Sequence, residues 1–324
     1  MRAFKQTFTQ TTLLFTYNSS ICTHLPTYLP VTMTSTPTSP AQPPIPGILL
    51  VHPRLLTPSP TTAATFLHWT KLHFRDLLRL DGVTRAMRFS APETDTGYSH
   101  ALDGEEGNKL PAYVYMCVLD DVRVVKGAPY YGVSRRLRLD EENGEKENEG
   151  KAQRDGDDGQ DNEEDKSMIF DIVDAKFAVY EKLADRTRTK PFPLPLTATS
   201  AKMKCVLACV SIAGASGDAT DNVPQMLHDS LFDKVNAAVP EALTTYSCLY
   251  RWAGEDAQPE MHPLIDIGGT GQWMVAVWVV DEKGKTLVRE KVCALVEGWV
   301  GDCATVERAG KVGFGVWDGE FIMG

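Results

Sequence analysis

A tryptophan, two histidines and an aspartate lie within one short apolar stretch, FLHWTKLHFRDLL at 66–78. Trp69 and His73 are four residues apart, so on a helix they share one face and lie one turn from each other. An imidazole with an ordinary pKa of about 6.5 can accept a proton at neutral pH. Asp76, three residues after His73, could orient that ring and hold its tautomer. The spacing therefore predicts a catalytic pair, with His73 as general base and Asp76 as its partner.

The sequence allows two other interpretations of these histidines. His73 could instead be a partly buried core histidine bonded to a backbone carbonyl, and the sequence leaves that alternative open. His68 and His73 are five residues apart, which separates them by about 140° around a helix. They therefore do not form a shared ligand face, and no cysteine or carboxylate spacing joins them to His52. The sequence predicts no metal site, and His68 is expected to face solvent.

Four residues are candidates for substrate binding. Trp69 shares the helical face of His73, and His52 lies on the preceding strand, from which it could approach that face. Tyr115 and Phe89 lie on later strands, where Tyr115 could donate a hydrogen bond to a phenol or a carbonyl. Alternating positions of this kind more often form core than a binding surface. We expect these four side chains to form the wall of any pocket beside His73.

The elements around this helix follow a simple order. The apolar pattern predicts a strand, a helix, two strands, a short helix and an extended segment, at 47–56, 63–80, 83–91, 112–121, 129–139 and 167–183. Asp81-Gly82 ends the first helix, because glycine tolerates the left-handed conformation at a helix C-terminus. This order is that of a ferredoxin-like unit, with four antiparallel strands and helices on one face.

The pattern partly restarts after a proline-rich linker at 189–201. Strands are predicted at 202–214, 242–252 and 272–282, with an amphipathic helix at 222–239. A second helix is expected near 287–299, and the glycine-rich end at 310–324 has no assignment. No histidine stands at the position that would correspond to His73. The fold class is thus α+β, two tandem ferredoxin-like units, with the second (202–324) degenerate and any site confined to the first (47–188).

Charge is concentrated in one segment of the chain. The net charge is −10, and residues 140–166 carry 13 acidic and 4 basic side chains, a net of −9, so the remainder sums to −1. No basic surface for nucleic acid follows from these numbers. The segment 140–166 cannot bury enough apolar surface to fold and is predicted to be a disordered insertion. Its simplest interpretation is a solvated loop.

The beginning of the chain is predicted to be a disordered tail. Residues 1–46 are rich in Thr, Ser and Pro and contain no acidic residue. Such a leader weakly resembles a mitochondrial presequence, and initiation at Met33 is an alternative. No apolar run is long enough to cross a membrane. Seven irregularly spaced cysteines suggest no disulfide framework, so a cytoplasmic location is expected.

The stretches PGILLVHPRL, FLHWTKLHFRDLL, GVTRAMRF, LPAYVYMCVLDD and IFDIVDAKFAVYEKL resemble the fungal EthD-like proteins of the dimeric α/β-barrel superfamily. The first helix of that family carries a Trp-Tyr…His-Ile-Pro pattern, which Trp69 and His73 match, while Thr70 and Phe74-Arg75 depart from it. The last strand of the family pattern fits loosely at Asp171, Asp174, Phe177, Tyr180 and Glu181, and the family arginine is missing.

The resemblance implies an eight-stranded barrel made from two sheets, as an intramolecular pseudo-dimer or in a homodimer. It also implies a pocket between a sheet and its helices. Members of the family resemble enzymes that need no cofactor, of oxidoreductase, dehydratase or decarboxylase type. Their substrates are small aromatic or polyketide-like molecules, and a histidine is commonly the general base. The alternative is a non-catalytic scaffold for a hydrophobic ligand or a protein partner; haem or metal dependence is a third possibility.

Overall fold

Eight strands of the computed structural model pair antiparallel into a closed barrel. The structure describes residues 42–100, 109–137, 168–188, 204–213, 222–260, 262, 264–265, 271–281, 289–303, 306, 309 and 311–322. From Pro43 onward the chain forms one compact unit. The tail predicted at 1–46, the linker at 189–201 and the acidic segment at 140–166 lie wholly or almost wholly outside the described residues. The architecture is α+β, with helices packed on the outer faces of the barrel sheet.

The first half of the chain supplies four barrel strands. Its elements are β1 (Gly47–Leu55), α1 (Pro60–Leu77), β2 (Val83–Ser90), β3 (Tyr98–Ser99), β4 (Leu110–Pro111), β5 (Tyr113–Leu119), α2 (Ala128–Gly132) and β6 (Val173–Thr187). The described residues between β5 and β6 also include the 3-10 turns Val122–Lys126 and Ile169–Asp171. The short strands β3 and β4 form a separate parallel pair.

The second half supplies the other four barrel strands. Its elements are β7 (Lys204–Ala213), α3 (Val223–Ala238), β8 (Thr244–Trp252), β9 (Trp273–Asp281), α4 (Arg289–Asp302) and β10 (Lys311–Ile322), with a 3-10 turn at Glu255–Ala257 after β8. The glycine-rich end that had no assignment is therefore a barrel strand. Gly315 of β10 is needed there, because a Cβ at this position would lie 2.2 Å from the indole of Trp317.

The strands follow the order β1-β5-β2-β10-β7-β9-β8-β6 around the barrel. Two seams join the halves, one between β2 and β10 and one between β6 and β8. Each seam carries an ion pair between residues that are opposite in register: Arg88 with Glu320 at 2.5 Å, and Arg251 with Glu181 at 2.7 Å. The closed ring leaves no barrel strand with an unpaired edge.

Side chains along each strand alternate between the barrel interior and the helices, as the two-residue period of a strand requires. In β9, Trp278 and its even-numbered neighbours join the apolar cluster of the barrel interior. Val277 and its odd-numbered neighbours join a second cluster with α3 and α4. The interior is thus one core shared by both halves, whereas each outer face has its own helix layer.

The two helix layers differ. In the second half α3 and α4 cover the sheet, and their buried residues include Leu231, Val235, Val296 and Trp299. Among the described residues of the first half, α1 is the one long helix. The helix predicted over 129–139 is just five residues long, because the chain turns to an extended backbone at Val133. The described residues of the first half therefore cover their sheet with α1, α2, 3-10 turns and loops.

Within the described residues, no helix is both long enough and apolar enough to cross a membrane.

The acidic segment should be dispensable for folding. Arg136 and Met168 form an antiparallel bridge, so the chain on either side of the segment is already held together. Replacing residues 140–166 by a four-residue Gly-Ser linker should keep the melting temperature unchanged or raise it slightly, since a shorter loop costs about 1 kcal/mol less to close. Differential scanning calorimetry of both chains measures this. A clear fall in melting temperature would mean that the segment packs on the barrel.

Candidate active site

A small cavity lies between α1 and the outer face of β1, β5 and β6. About 50 Å³ of it is accessible to water. Most of the wall is apolar, and the residues that line it include Leu49, Val51, Phe66, Trp69, His73, Phe74, Tyr115, Cys117, Tyr130, Arg135, Ile169, Phe170, Val173, Phe177 and His262. A few polar groups within an aromatic wall are the usual composition of a small-molecule site.

Helix α1 positions Trp69 and His73. Ser59 caps the helix by accepting a hydrogen bond from the backbone of Thr62 at 3.0 Å, and Pro60 fits the first turn because it has no N–H to satisfy. Trp69 and His73 lie on the same face, with ring centroids 4.5 Å apart and planes at 14°. The stack keeps the imidazole against the cavity wall.

A backbone carbonyl orients His73. Its Nδ1 lies 3.1 Å from the carbonyl oxygen of Ser134. Because a carbonyl can only accept, Nδ1 carries the proton and Nε2 keeps its lone pair. Burial, assisted by the positive charge of Arg135, lowers the pKa of His73 from 6.5 to about 4, although the Ser134 bond acts in the opposite direction. The ring is therefore neutral at pH 7, with an acceptor nitrogen available.

Asp76 does not contact His73 in the structure. Its carboxylate bonds to Arg79 at 3.1 Å, and its side chain is 39% exposed. On the helix, Leu77 is the buried neighbour of His73 four residues on, whereas Asp76 turns toward the solvent side. The orienting contact predicted for Asp76 is made by the Ser134 carbonyl, which comes from a loop 61 residues further along the chain.

Tyr115 lies in the cavity wall with Trp69. Its hydroxyl is hydrogen-bonded to Oγ1 of Thr70 at 3.2 Å, and its ring stacks on Phe66 with centroids 5.4 Å apart. Burial raises the pKa of the phenol far above its usual range. Tyr115 therefore presents a neutral aromatic surface, with its hydroxyl already engaged by a helix residue.

Phe89 and His52 lie on the other side of the sheet. Phe89 is buried in the barrel interior, opposite Val114. His52 lines a cavity inside the barrel, whereas Val51 before it lines the cavity of His73. Burial and the charges of nearby cations lower the pKa of His52 to about 3. Because side chains along a strand alternate between its two faces, both residues point away from His73. The position of His52 on the strand before the helix had suggested that it could approach His73.

Two polar residues of the site, Arg135 and His262, were not predicted. Nη1 of Arg135 donates to the carbonyls of Tyr131 and Val133 at 3.1 and 3.2 Å, and Nη2 lies 3.4 Å from Nε2 of His262. His262 stacks on Phe177 with centroids 4.2 Å apart. Burial and the charge of Arg135 lower the pKa of His262 to about 4. No sequence pattern joins these residues to His73, since each comes from a different loop.

The charge of Arg135 lacks a carboxylate partner among the described residues. A single guanidinium beside two neutral imidazoles favours an anion, or an oxygen that gains negative charge during reaction. His73 Nε2 can accept a proton in the same space. Within the described part of the chain, no three of His, Cys, Asp and Glu come together as a metal site would require.

Comparisons with known proteins gave matches among solved structures alone. No family model and no curated protein matched the chain. An anthrone oxidase-like protein is 8% identical, with 86% of this chain and 94% of that chain covered and a TM-score of 0.43. A proposed monooxygenase from Lactobacillus acidophilus is 7% identical, with 86% and 95% covered and a TM-score of 0.35. Another from Fusobacterium nucleatum is 7% identical, with 86% and 94% covered and a TM-score of 0.39.

Acid should destabilise the fold partly through His73. Its pKa is lowered in the folded protein, so between pH 6.5 and 4 the unfolded chain binds the proton and the folded chain does not. Stability from this group is therefore complete above pH 6.5 and is lost as the pH falls toward 4. His73→Gln should have a melting temperature that falls less steeply over this range than that of the wild type. Parallel curves for the two proteins would contradict the lowered pKa.

Proposed function

We propose that this chain is an enzyme that needs no cofactor and acts on a small aromatic or polyketide-like molecule in the His73 cavity. The reaction is of oxidoreductase, dehydratase or decarboxylase type, with His73 as general base. One observation carries the proposal. The lone pair of His73 Nε2 and the guanidinium of Arg135, which forms no ion pair with a described residue, belong to the same apolar cavity. Trp69 and Tyr115 are the proposed aromatic walls.

The shared first step is removal of a proton from a weakly acidic C–H or O–H group. His73 Nε2 takes the proton and becomes an imidazolium, while the electron pair moves onto the substrate oxygen. Arg135 stabilises the negative charge that forms there, and the low polarity of the cavity strengthens that attraction. The resulting enolate or phenolate can expel a leaving group from the adjacent carbon or give electrons to molecular oxygen as the oxidant. In the decarboxylase type, a phenolate takes the proton back from the imidazolium at the ring carbon that bears the carboxylate, and loss of carbon dioxide from that carbon returns the electron pair to the ring and its oxygen.

The low pKa of His73 limits the substrates that this step can serve. A base with a pKa of about 4 is weak, so the substrate itself must be acidic when bound. Anthrones, 1,3-dicarbonyl compounds and phenols meet this requirement, because their conjugate bases spread the charge over oxygen and an aromatic system. Arg135 lowers the pKa of such a substrate further by its positive charge.

Ligand entry requires a side chain of the cavity wall to move. Phe170 lines the cavity, is 39% exposed and lies near His262, at a centroid distance of 6.3 Å. The cavity volume of about 50 Å³ has room for only a few waters. A ring-containing substrate therefore requires the Phe170 side chain to move outward. Phe170 lies on the 3-10 turn Ile169–Asp171, outside the barrel strands, which supports this route.

We further infer that the chain is a tandem duplication of an EthD-like, ferredoxin-like unit. In each half the outer strands are the second and fourth, and the first and third are central. The second half serves as the partner that completes the barrel. Its outer face is filled by α3 and α4, where His228 bonds to Ser247 at 2.9 Å. One site per chain follows from this arrangement.

The second candidate function is a non-catalytic scaffold that binds a hydrophobic ligand. The small cavity volume and the backbone bond of His73 favour it. In that case Arg135 would still hold an acidic ligand, but no proton transfer would occur at Nε2. Binding without turnover distinguishes the two functions.

Proton abstraction can be tested without knowledge of the full reaction. The protein is incubated with a panel of anthrones and phenolic ketones in D₂O buffer, with proton NMR for exchange of the acidic C–H and mass spectrometry for products. His73→Gln should slow exchange by about 100-fold or more. Asp76→Asn, which changes a neighbour outside the cavity, should stay near the wild-type rate. Full activity of His73→Gln would exclude it as the base, and binding without exchange would support the scaffold.

A further inference from the structure

A second cavity lies at the seam where β2 pairs with β10. About 270 Å³ of it is accessible to water, against about 50 Å³ beside His73. Its wall combines Leu67 of α1 with Arg88, Glu93, His100, Tyr113 and the β10 residues 318–320. None of its lining residues lines the His73 cavity. The contact between Phe66 and Tyr113, at 5.6 Å between centroids, lies between the two spaces.

Two buried polar side chains in this wall lack partners. Tyr113 is 5% exposed, and its hydroxyl has no hydrogen bond to any described residue. Both ring nitrogens of His100 are buried without a partner. The two rings meet edge to face, with centroids 5.2 Å apart. The nearby hydroxyl of Tyr98, by contrast, has hydrogen-bond partners: it donates to the Val316 carbonyl at 3.0 Å and accepts from the Val316 N–H at 2.8 Å.

Unpartnered polar groups of this kind point to a ligand. A buried donor or acceptor left without a partner costs about 1–3 kcal/mol, and buried polar groups in folded proteins are usually satisfied. Here the Tyr113 hydroxyl adjoins one open space that is large enough for a molecule of several heavy atoms, whereas the ring nitrogens of His100 are enclosed by neighbouring atoms. A ligand with a hydroxyl or similar group would give the Tyr113 hydroxyl a partner.

The charges of the wall favour a cation. Arg88 donates to the carbonyl of Leu67 at 3.0 Å and pairs with Glu320 at 2.5 Å. Asp318 lies 4.0 Å from Arg289, whose guanidinium is already paired with Asp95 at 2.5 Å. Glu93 has no ion pair with any described residue. Three carboxylates against one guanidinium give the lining a net charge of −2 from its carboxylates and arginine.

We propose that the seam cavity binds a small organic cation, an amine that also carries a hydroxyl or similar group. The ammonium group lies against Glu93 and Asp318, and the second polar group bonds to the Tyr113 hydroxyl. The site is independent of the proposed catalysis. Because its wall contains strands from both halves, ligand binding stabilises the seam between β2 and β10.

The test uses three probes that share a four-carbon chain with a hydroxyl at one end and carry a cationic, neutral or anionic group at the other: 4-aminobutan-1-ol, butane-1,4-diol and 4-hydroxybutanoate. Isothermal titration calorimetry should detect binding of the amine, with the diol and the hydroxy acid at least about tenfold weaker. Equal binding of all three probes, or no binding of the amine, would overturn the proposal.

Variants then locate the binding. Glu93→Gln and Tyr113→Phe should each weaken binding of the amine about tenfold, and Glu93 is exposed, so its replacement should leave the fold intact. Glu241→Gln removes the same charge from an exposed position outside the cavity and should bind as the wild type does. His73→Gln should also bind normally, which separates this site from the catalytic proposal. Unchanged affinity in both Glu93→Gln and Tyr113→Phe would place the amine elsewhere and refute the site.

Discussion

Closure of the barrel is the constraint on which the rest of the structure depends. Each half has four strands with one face against the other half, and neither sheet could leave that face in water. The seams β2–β10 and β6–β8 close the ring by backbone hydrogen bonds, and each carries an ion pair between facing strands. Because both halves share the core of the interior, the outer faces are the surfaces on which the helix layers of the two halves can differ.

The outer faces of the two halves are covered in different ways. In the second half two helices fill the layer, and the buried His228 meets Ser247 at 2.9 Å, so both side chains have a partner. In the first half the described layer has one long helix, and loops complete it. Loops bring Ser134, Arg135 and His262 to the face of α1, where they leave an imidazole nitrogen and a guanidinium facing a cavity. The proposed active site therefore lies on the outer face of the first half, where loops complete the layer that helices alone fill in the second half.

Much of the fold was predictable because it follows from local periodicity. The first helix and the strand at 83–90 were predicted from apolar spacing to within a few residues. The predicted end at Asp81-Gly82 was wrong: the helix ends at Leu77 with a right-handed cap at Leu78, and Gly82, with φ of 86°, lies in the turn that follows. Strand β10 was not predictable in this way, because glycines at 313, 315 and 319 dilute its alternation. Gly319 is required by the ring of Phe89 on the paired strand, which is a tertiary reason, whereas Gly315 leaves room for the ring of Trp317 two residues further along the same strand. The short α2 likewise ends where the chain must turn, not where its apolar pattern stops.

The sequence alone determined that Trp69 and His73 share a helical face, since helical spacing is a local property. The tertiary structure decided what that face meets. It placed the Ser134 carbonyl, not Asp76, against the imidazole, it put His52 and Phe89 behind the sheet, and it added Arg135 and His262 from distant loops. These outcomes depend on which face of a strand is turned outward and on where loops return. Both are set by closure of the whole barrel, and no local pattern of residues contains them.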